Sequence, residues 1–328
     1  MNKQKIVFFT IAFITFFLMG FFFNNYSSSK RSMSDDSTTQ IREDSSEYKY
    51  VNPLLFASDF EVKYSELDDL QEKLEKYIDD KKNKNGVESV SVYFREMDSG
   101  KWTGIVEDDS YAPASMLKVV TLIAVLKKAS LDPSILTQKK YYEYEDNSGQ
   151  YYKSKPLQTG LYNVLTLLQQ MIVYSDNTAM DLVDQDNILD IVELYKDLKL
   201  SSPIGSPENF MSPRSYSRFF RALYNATYLT RNYSEQALKL LTYTSFEKGL
   251  RQGVPTNIEI SHKFGEYTSL EDGVIKYREL HDCGIIYHSS QPYLLCVMTK
   301  GDDFLSLEKI IGDISKIVFE YQKDLYER

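Results

Sequence analysis

The chain has 328 residues, 42% hydrophobic and 26% charged, which suits a folded globular domain and excludes a wholly disordered chain. Its net charge of -9 excludes the basic face that nucleic-acid binding needs. Two cysteines, three histidines and no CxxC spacing leave no ligand set for a structural metal, and nothing calls for a cofactor.

In chain order, Ile6 to Phe23 comes first: 18 residues without a charge, led by Lys3 and Lys5. That length spans a bilayer with little tilt, and the leading lysines favour a cytoplasmic N-terminus. Gly20-Phe-Phe-Phe23 offers no small-x-small cleavage site, which favours an uncleaved signal anchor over a signal peptide. The polar stretch that follows reads as a tether. The expected order is a cytoplasmic tail (1–5), a transmembrane signal anchor (6–23), a flexible extracellular tether (24–50) and an outer domain (51–328). The protein would sit in the cell membrane as a single-pass chain.

Within the outer domain, Leu67, Leu70, Leu74 and Ile78 recur at helical spacing, predicting a helix over Ser65–Lys82. Val87–Glu96 alternates as a strand, turns at Asp98-Ser-Gly100 and returns over Lys101–Val106. Next comes an apolar helix, Val119 to Leu126, stopped by Asp132-Pro133. The tyrosines of Tyr141–Glu145 and Tyr151-Tyr152 read as a half-buried hairpin rather than a binding platform. The middle is otherwise helical, with runs at Leu161–Val173, Met180–Leu198, Ser215–Tyr228 and Glu235–Thr242. Strands return at Ile258–Gly265, Cys283–His288 and Tyr293–Thr299, and a helix closes the chain over Leu305–Tyr326. This order is α+β: an antiparallel sheet from the two chain ends, flanked by helices, with an inserted all-helical lobe and a cleft between. Cys283 and Cys296 flank the turn Ser289-Ser-Gln-Pro292; a disulfide and a pair of buried thiols both remain open, because strand register decides between them.

Three short segments carry chemistry. Ser-x-x-Lys occurs five times, at Ser27, Ser46, Ser115, Ser245 and Ser306. Only Ser115 opens a long apolar helix, which puts the serine in the first turn and Lys118 on the same face one turn on. Ser175-Asp176-Asn177 occurs once and reads by itself as a helix–helix turn. Lys263-Phe264-Gly265 ends a predicted strand, where a lysine is usually solvated and the glycine marks a bulge or a close approach.

In this order the three segments resemble the penicillin-recognising serine hydrolases, closest to the class A β-lactamase branch, whose motifs are Ser-x-x-Lys, Ser-Asp-Asn and Lys-Thr-Gly. Tyr111–Lys118, Met171–Ala179 and Met211–Leu223 carry the likeness further, and it spans about residues 60 to 325. The resemblance implies an acyl-enzyme at Ser115, with Lys118 as base and Ser175 as proton relay. It implies Asn177 and Lys263 as substrate contacts, Gly265 for close approach of the strand, and the amides of Ser115 and Glu266 as oxyanion hole. Two departures stand out. The stretch Leu200–Met211 lacks the Glu-x-x-Leu-Asn motif that places the deacylating glutamate, and Glu208 is its only acid. Phe264 replaces the threonine that would bind a substrate carboxylate, and a phenylalanine donates no hydrogen bond. Three readings follow: a hydrolase of cell-wall D-alanyl amides or esters, a true β-lactamase, and a catalytically silent binding module. The expected partners are a small-molecule or cell-wall substrate and the membrane; the residues point to no particular protein partner.

Overall fold

The computed structural model describes residues 40–43, 47–57, 65–82, 86–145, 151–153, 155–201, 210–289 and 291–326. The expected anchor, most of the tether and Glu208 lie outside the described residues. Among the described residues no helix is long and apolar enough to cross a membrane.

A small antiparallel pair, β1 (Gln40–Arg42) and β2 (Leu54–Ala57), precedes helix α1 (Asp68–Lys81), which buries Leu70, Leu74 and Ile78 as their spacing predicted. Then come β3 (Val87–Glu96), β4 (Trp102–Ile105) and α2 (Leu117–Ala129). Strands β5 (Lys139–Tyr142) and β6 (Gly160–Asn163) form a hairpin. The helical lobe continues with α3 (Val164–Val173), α4 (Asn177–Asp184), α5 (Ile188–Asp197), α6 (Pro213–Tyr224) and α7 (Arg231–Leu241). The chain ends with β7 (Ile260–Glu271), β8 (Val274–Ile286), β9 (Tyr293–Gly301) and α8 (Phe304–Tyr326).

The main sheet is antiparallel throughout, in the order β4-β3-β9-β8-β7. Its centre is covered on both faces, so β9 reads as a continuous apolar run rather than an alternating one. Leu294, Cys296 and Met298 pack into one core with α2, α3, α6 and α7. Tyr293, Leu295 and Val297 pack into a second core with α1 and α8. The sheet therefore separates two cores, and β7 is left as a free edge beside the helical lobe. Helix α2 lies inside the first core; Val119 to Leu126 are all buried, as expected of a helix that is apolar all round. The side chain of Phe219 is fully buried there, edge-on to Tyr195 and Tyr216 at 5.5 and 5.6 Å. Phe219→Ala should lower unfolding stability by about 3–5 kcal/mol, read from the midpoint and slope of urea denaturation.

Four sequence expectations change. Residues Gly160–Asn163 form a strand, not the start of a helix: Leu161 is exposed, and Asn163 caps α3 by accepting from the Thr166 amide at 2.7 Å. The predicted helix Met180–Leu198 is two helices, broken where Asn187 bonds back to the Val183 carbonyl at 2.6 Å. Strands β7 and β8 run on to Glu271 and Val274, turning at Asp272-Gly273 with φ of 53° and 76°, the geometry of a two-residue type I′ turn. Finally, Tyr151-Tyr152 does not join the β5–β6 hairpin and packs instead against β7, α8 and the segment after α7. The β8–β9 register sets Cys283 opposite Cys296, with Cα atoms 4.0 Å apart, and the two form a disulfide.

Candidate active site

Ser115 lies half-buried in a short 3-10 turn, Ala114–Met116, that leads into α2. The first helical bond is donated by Met116 to Pro113 O, at 3.0 Å, so the Ser115 amide precedes the ladder. The turn is clamped from behind. Glu279 accepts the Ala112 amide at 2.9 Å, and Tyr216 donates to the Met116 carbonyl at 2.8 Å. The Thr299 amide donates to His281 Nδ1 at 3.2 Å, so Nε2 carries the ring hydrogen and donates to the Ala112 carbonyl at 3.1 Å. Ala114 adopts φ 47°, a cost held in place by these contacts.

Lys118 projects from the first turn of α2, 1% exposed. Its Nζ lies 2.6 Å from Ser115 Oγ and 2.5 Å from Asn177 Oδ1. Both partners are uncharged. Burial therefore dominates and draws its pKa down from 10.5 to about 8, against the more distant pull of Asp176, Asp181, Asp184 and Glu266. At pH 7 roughly a tenth of the molecules carry a neutral amine there, within bonding distance of the serine hydroxyl.

Asn177 opens α4, and Asp176 caps it through the Ala179 amide at 2.9 Å while accepting the Tyr142 hydroxyl at 2.8 Å. Ser175 precedes the cap at φ 55°, an uncommon conformation for a serine. It aims Oγ at Lys263 Nζ, 2.9 Å away on β7. Lys263 is fully buried, and burial together with Lys118 holds its pKa well below the usual lysine range.

Residues alternate along the free edge of β7. The carbonyls of His262 and Phe264 both accept bonds off the sheet, from Thr244 at 2.8 Å and from Lys263 Nζ at 3.2 Å. An antiparallel residue points its N–H and C=O to the same side, so the Glu266 amide, two residues on, faces outward as well. Gly265 lets this edge approach the nucleophile: a Cβ there would sit 2.6 Å from Pro113 O and 3.0 Å from Met116 Cγ. The edge of β7 at Gly265 therefore lies against the turn that carries Ser115.

The structure brings Ser115, Lys118, Ser175, Asn177, Lys263, Gly265 and Glu266 together. Of these, the Phe264 ring meets Lys263, whose Nζ lies 4.1 Å from the ring centroid. That ring is 1% exposed and stacks on Phe246 at 4.1 Å, in the core with α1 and α8. Arg278, close in sequence, donates to the Asp302 carbonyl and lies over Phe304. Tyr142, Tyr216, Glu279 and His281 support the site from elements distant in sequence, and no local motif marks them.

A hydroxyl beside a buried lysine drawn towards neutrality, and a second hydroxyl beside a second buried lysine, are groups that acyl transfer through a serine can use. The family model of the beta-lactamase enzyme family matches residues 69–322. Among solved structures, PBP-A is similar at 20% identity, covering 79% of this chain and 97% of that one with a TM-score of 0.64. TLA-1 extended-spectrum β-lactamase is similar at 18% identity, covering 78% and 98%, also at 0.64. A class A β-lactamase from Bacteroides cellulosilyticus is similar at 19%, covering 77% and 98%, at 0.63. No curated protein matches the chain. The chain belongs to the beta-lactamase enzyme family and is a serine hydrolase of the β-lactamase type.

Proposed function

We propose that this protein is a membrane-anchored, outward-facing hydrolase that forms an acyl-enzyme at Ser115 with cell-wall D-alanyl amides or esters, and with β-lactams. The observation that carries the reading is Lys118 Nζ at 2.6 Å from Ser115 Oγ, drawn by burial towards neutrality. Neutral Lys118 takes the hydroxyl proton as Oγ attacks the carbonyl carbon. The oxyanion rests on the Ser115 and Glu266 amides. Ser175, bonded to Lys263, then passes a proton to the leaving nitrogen or oxygen. The similar PBP-A has been captured, as a mutant, in an acyl-enzyme complex with penicillin G. The anchor rests on the uncharged run Ile6 to Phe23. The acyl group leaves slowly, because Leu200–Met211 carries no Glu-x-x-Leu-Asn motif.

The test follows intact mass after mixing the full-length chain with an N-acetyl-D-alanyl thioester or a penicillin. The expected result is an adduct of one acyl group that Ser115→Ala abolishes. Turnover of penicillin with no lasting adduct would mark a true β-lactamase, and neither adduct nor hydrolysis with any donor would leave the silent binding module.

A further inference from the structure

The two ends of the site differ in access. Ser115 is half-buried and Asn177 exposed, whereas Ser175 is 5% exposed and Lys263 0%. Beside the Phe264 ring at the second end lies Tyr151-Tyr152. Both amides donate to the Glu266 carboxylate at 2.9 Å. The Tyr152 ring stands edge-on to Phe264 at 4.8 Å, while Lys263 Nζ lies 4.1 Å from that same Phe264 ring. The Tyr152 hydroxyl donates to Ser245 Oγ, which itself donates at 2.6 Å to the carbonyl of Val173, two residues before Ser175. Tyr151 stacks on Phe304 at 4.7 Å and bonds to Lys248 and Glu308 through its hydroxyl.

We propose that Tyr152 closes the Ser175–Lys263 end of the site and restricts the enzyme to acyl donors whose leaving groups are uncharged, such as D-alanyl esters of neutral alcohols. The inference rests on the acyl-transfer reading and names its substrate class. A carboxylate on the leaving group would have to shed water against Tyr152, Phe264 and Phe246. Phe264 supplies no donor to replace that water, Arg278 is held at Asp302, and Lys263 is fully buried against the Phe264 ring with burial opposing its charge. An alcohol asks for none of this. In the step itself the Ser115 Oγ–acyl bond forms and the acyl–oxygen bond of the ester breaks. The Ser115 proton passes to Lys118, and Ser175 delivers one to the departing alkoxide.

Two measurements on the full-length chain test the assignment. The first compares N-acetyl-D-alanyl thioesters of methanethiol and of mercaptoacetate, followed by thiol release. Wild type should favour the uncharged leaving group by about tenfold or more in kcat/KM, as a site without a matching polar partner discriminates. Tyr152→Ala should narrow that ratio by raising the mercaptoacetate rate, and Tyr152→Phe, which keeps the ring and loses only the Ser245 bond, should fall between. A wild-type preference for mercaptoacetate, or a ratio unchanged in Tyr152→Ala, overturns the assignment. The second measurement needs no turnover: alkylation of Ser175→Cys by iodoacetamide should quicken about tenfold when Tyr152→Ala is added, since thiol modification tracks exposure. An unchanged rate overturns the closure. If alkylation quickens but neither thioester acylates any variant, the acyl-transfer reading has failed, and the substrate class falls with it while the closure stands.

Discussion

Lys118→Ala should lower acylation of Ser115 by a neutral D-alanyl thioester on the order of 10²–10⁴-fold, the usual contribution of a positioned general base. In the wild-type chain the acylation rate should rise with pH, bend near pH 8 and level off, because the reactive form holds Lys118 neutral. The variant should lose both the rate and the bend. The same lysine acts on stability with a defined sign. The folded chain releases its proton near pH 8 and the unfolded chain near 10.5. Between those values unfolding takes up a proton, so this group's contribution to stability rises with pH across the window and is lost as pH falls through 8. Rapid-mixing thiol release from pH 6 to 10 gives the profile. A pH-independent rate, or a Lys118→Ala chain that retains its bend, would remove Lys118 from the role of base.

Gly265→Ala should cost about 10²-fold in kcat/KM, the scale of a misplacement near 1 Å at a reacting centre. The added Cβ would lie 2.6 Å from Pro113 O, and that atom belongs to backbone held by the Glu279 and His281 contacts on Ala112. Strand β7 must therefore move outward, separating the Glu266 amide from the Ser115 amide. Overpacking adds about 1–3 kcal/mol of destabilisation, visible in thermal unfolding. A variant with wild-type turnover and unchanged melting would show that the edge strand does not depend on this contact.

The parts of the site nearest each other in sequence were the most legible. Ser115 and Lys118 share a helix face by spacing alone, and the apolar run behind them separates this Ser-x-x-Lys from four others. Ser175 and Asn177 flank a capping aspartate, a local pattern that Asp176 fulfils through the Ala179 amide. The Asp272-Gly273 pair is an equally local hairpin signal, and with it β7 and β8 extend beyond the bounds expected from their apolar runs. Glu279 and His281 left no local signal, because their partner, Ala112, lies more than 160 residues away.

By itself the sequence determined the α+β class, the strands of the main sheet at the two chain ends and the three segments that carry chemistry, since periodicity and helix spacing are local properties of the chain. Only the tertiary structure decided that Phe264 stacks on Phe246, that Cys283 faces Cys296, and that Tyr152 stands edge-on to Phe264. Each of those depends on strand register or on a contact between distant segments. Such contacts take their energy from the burial and desolvation of the assembled fold.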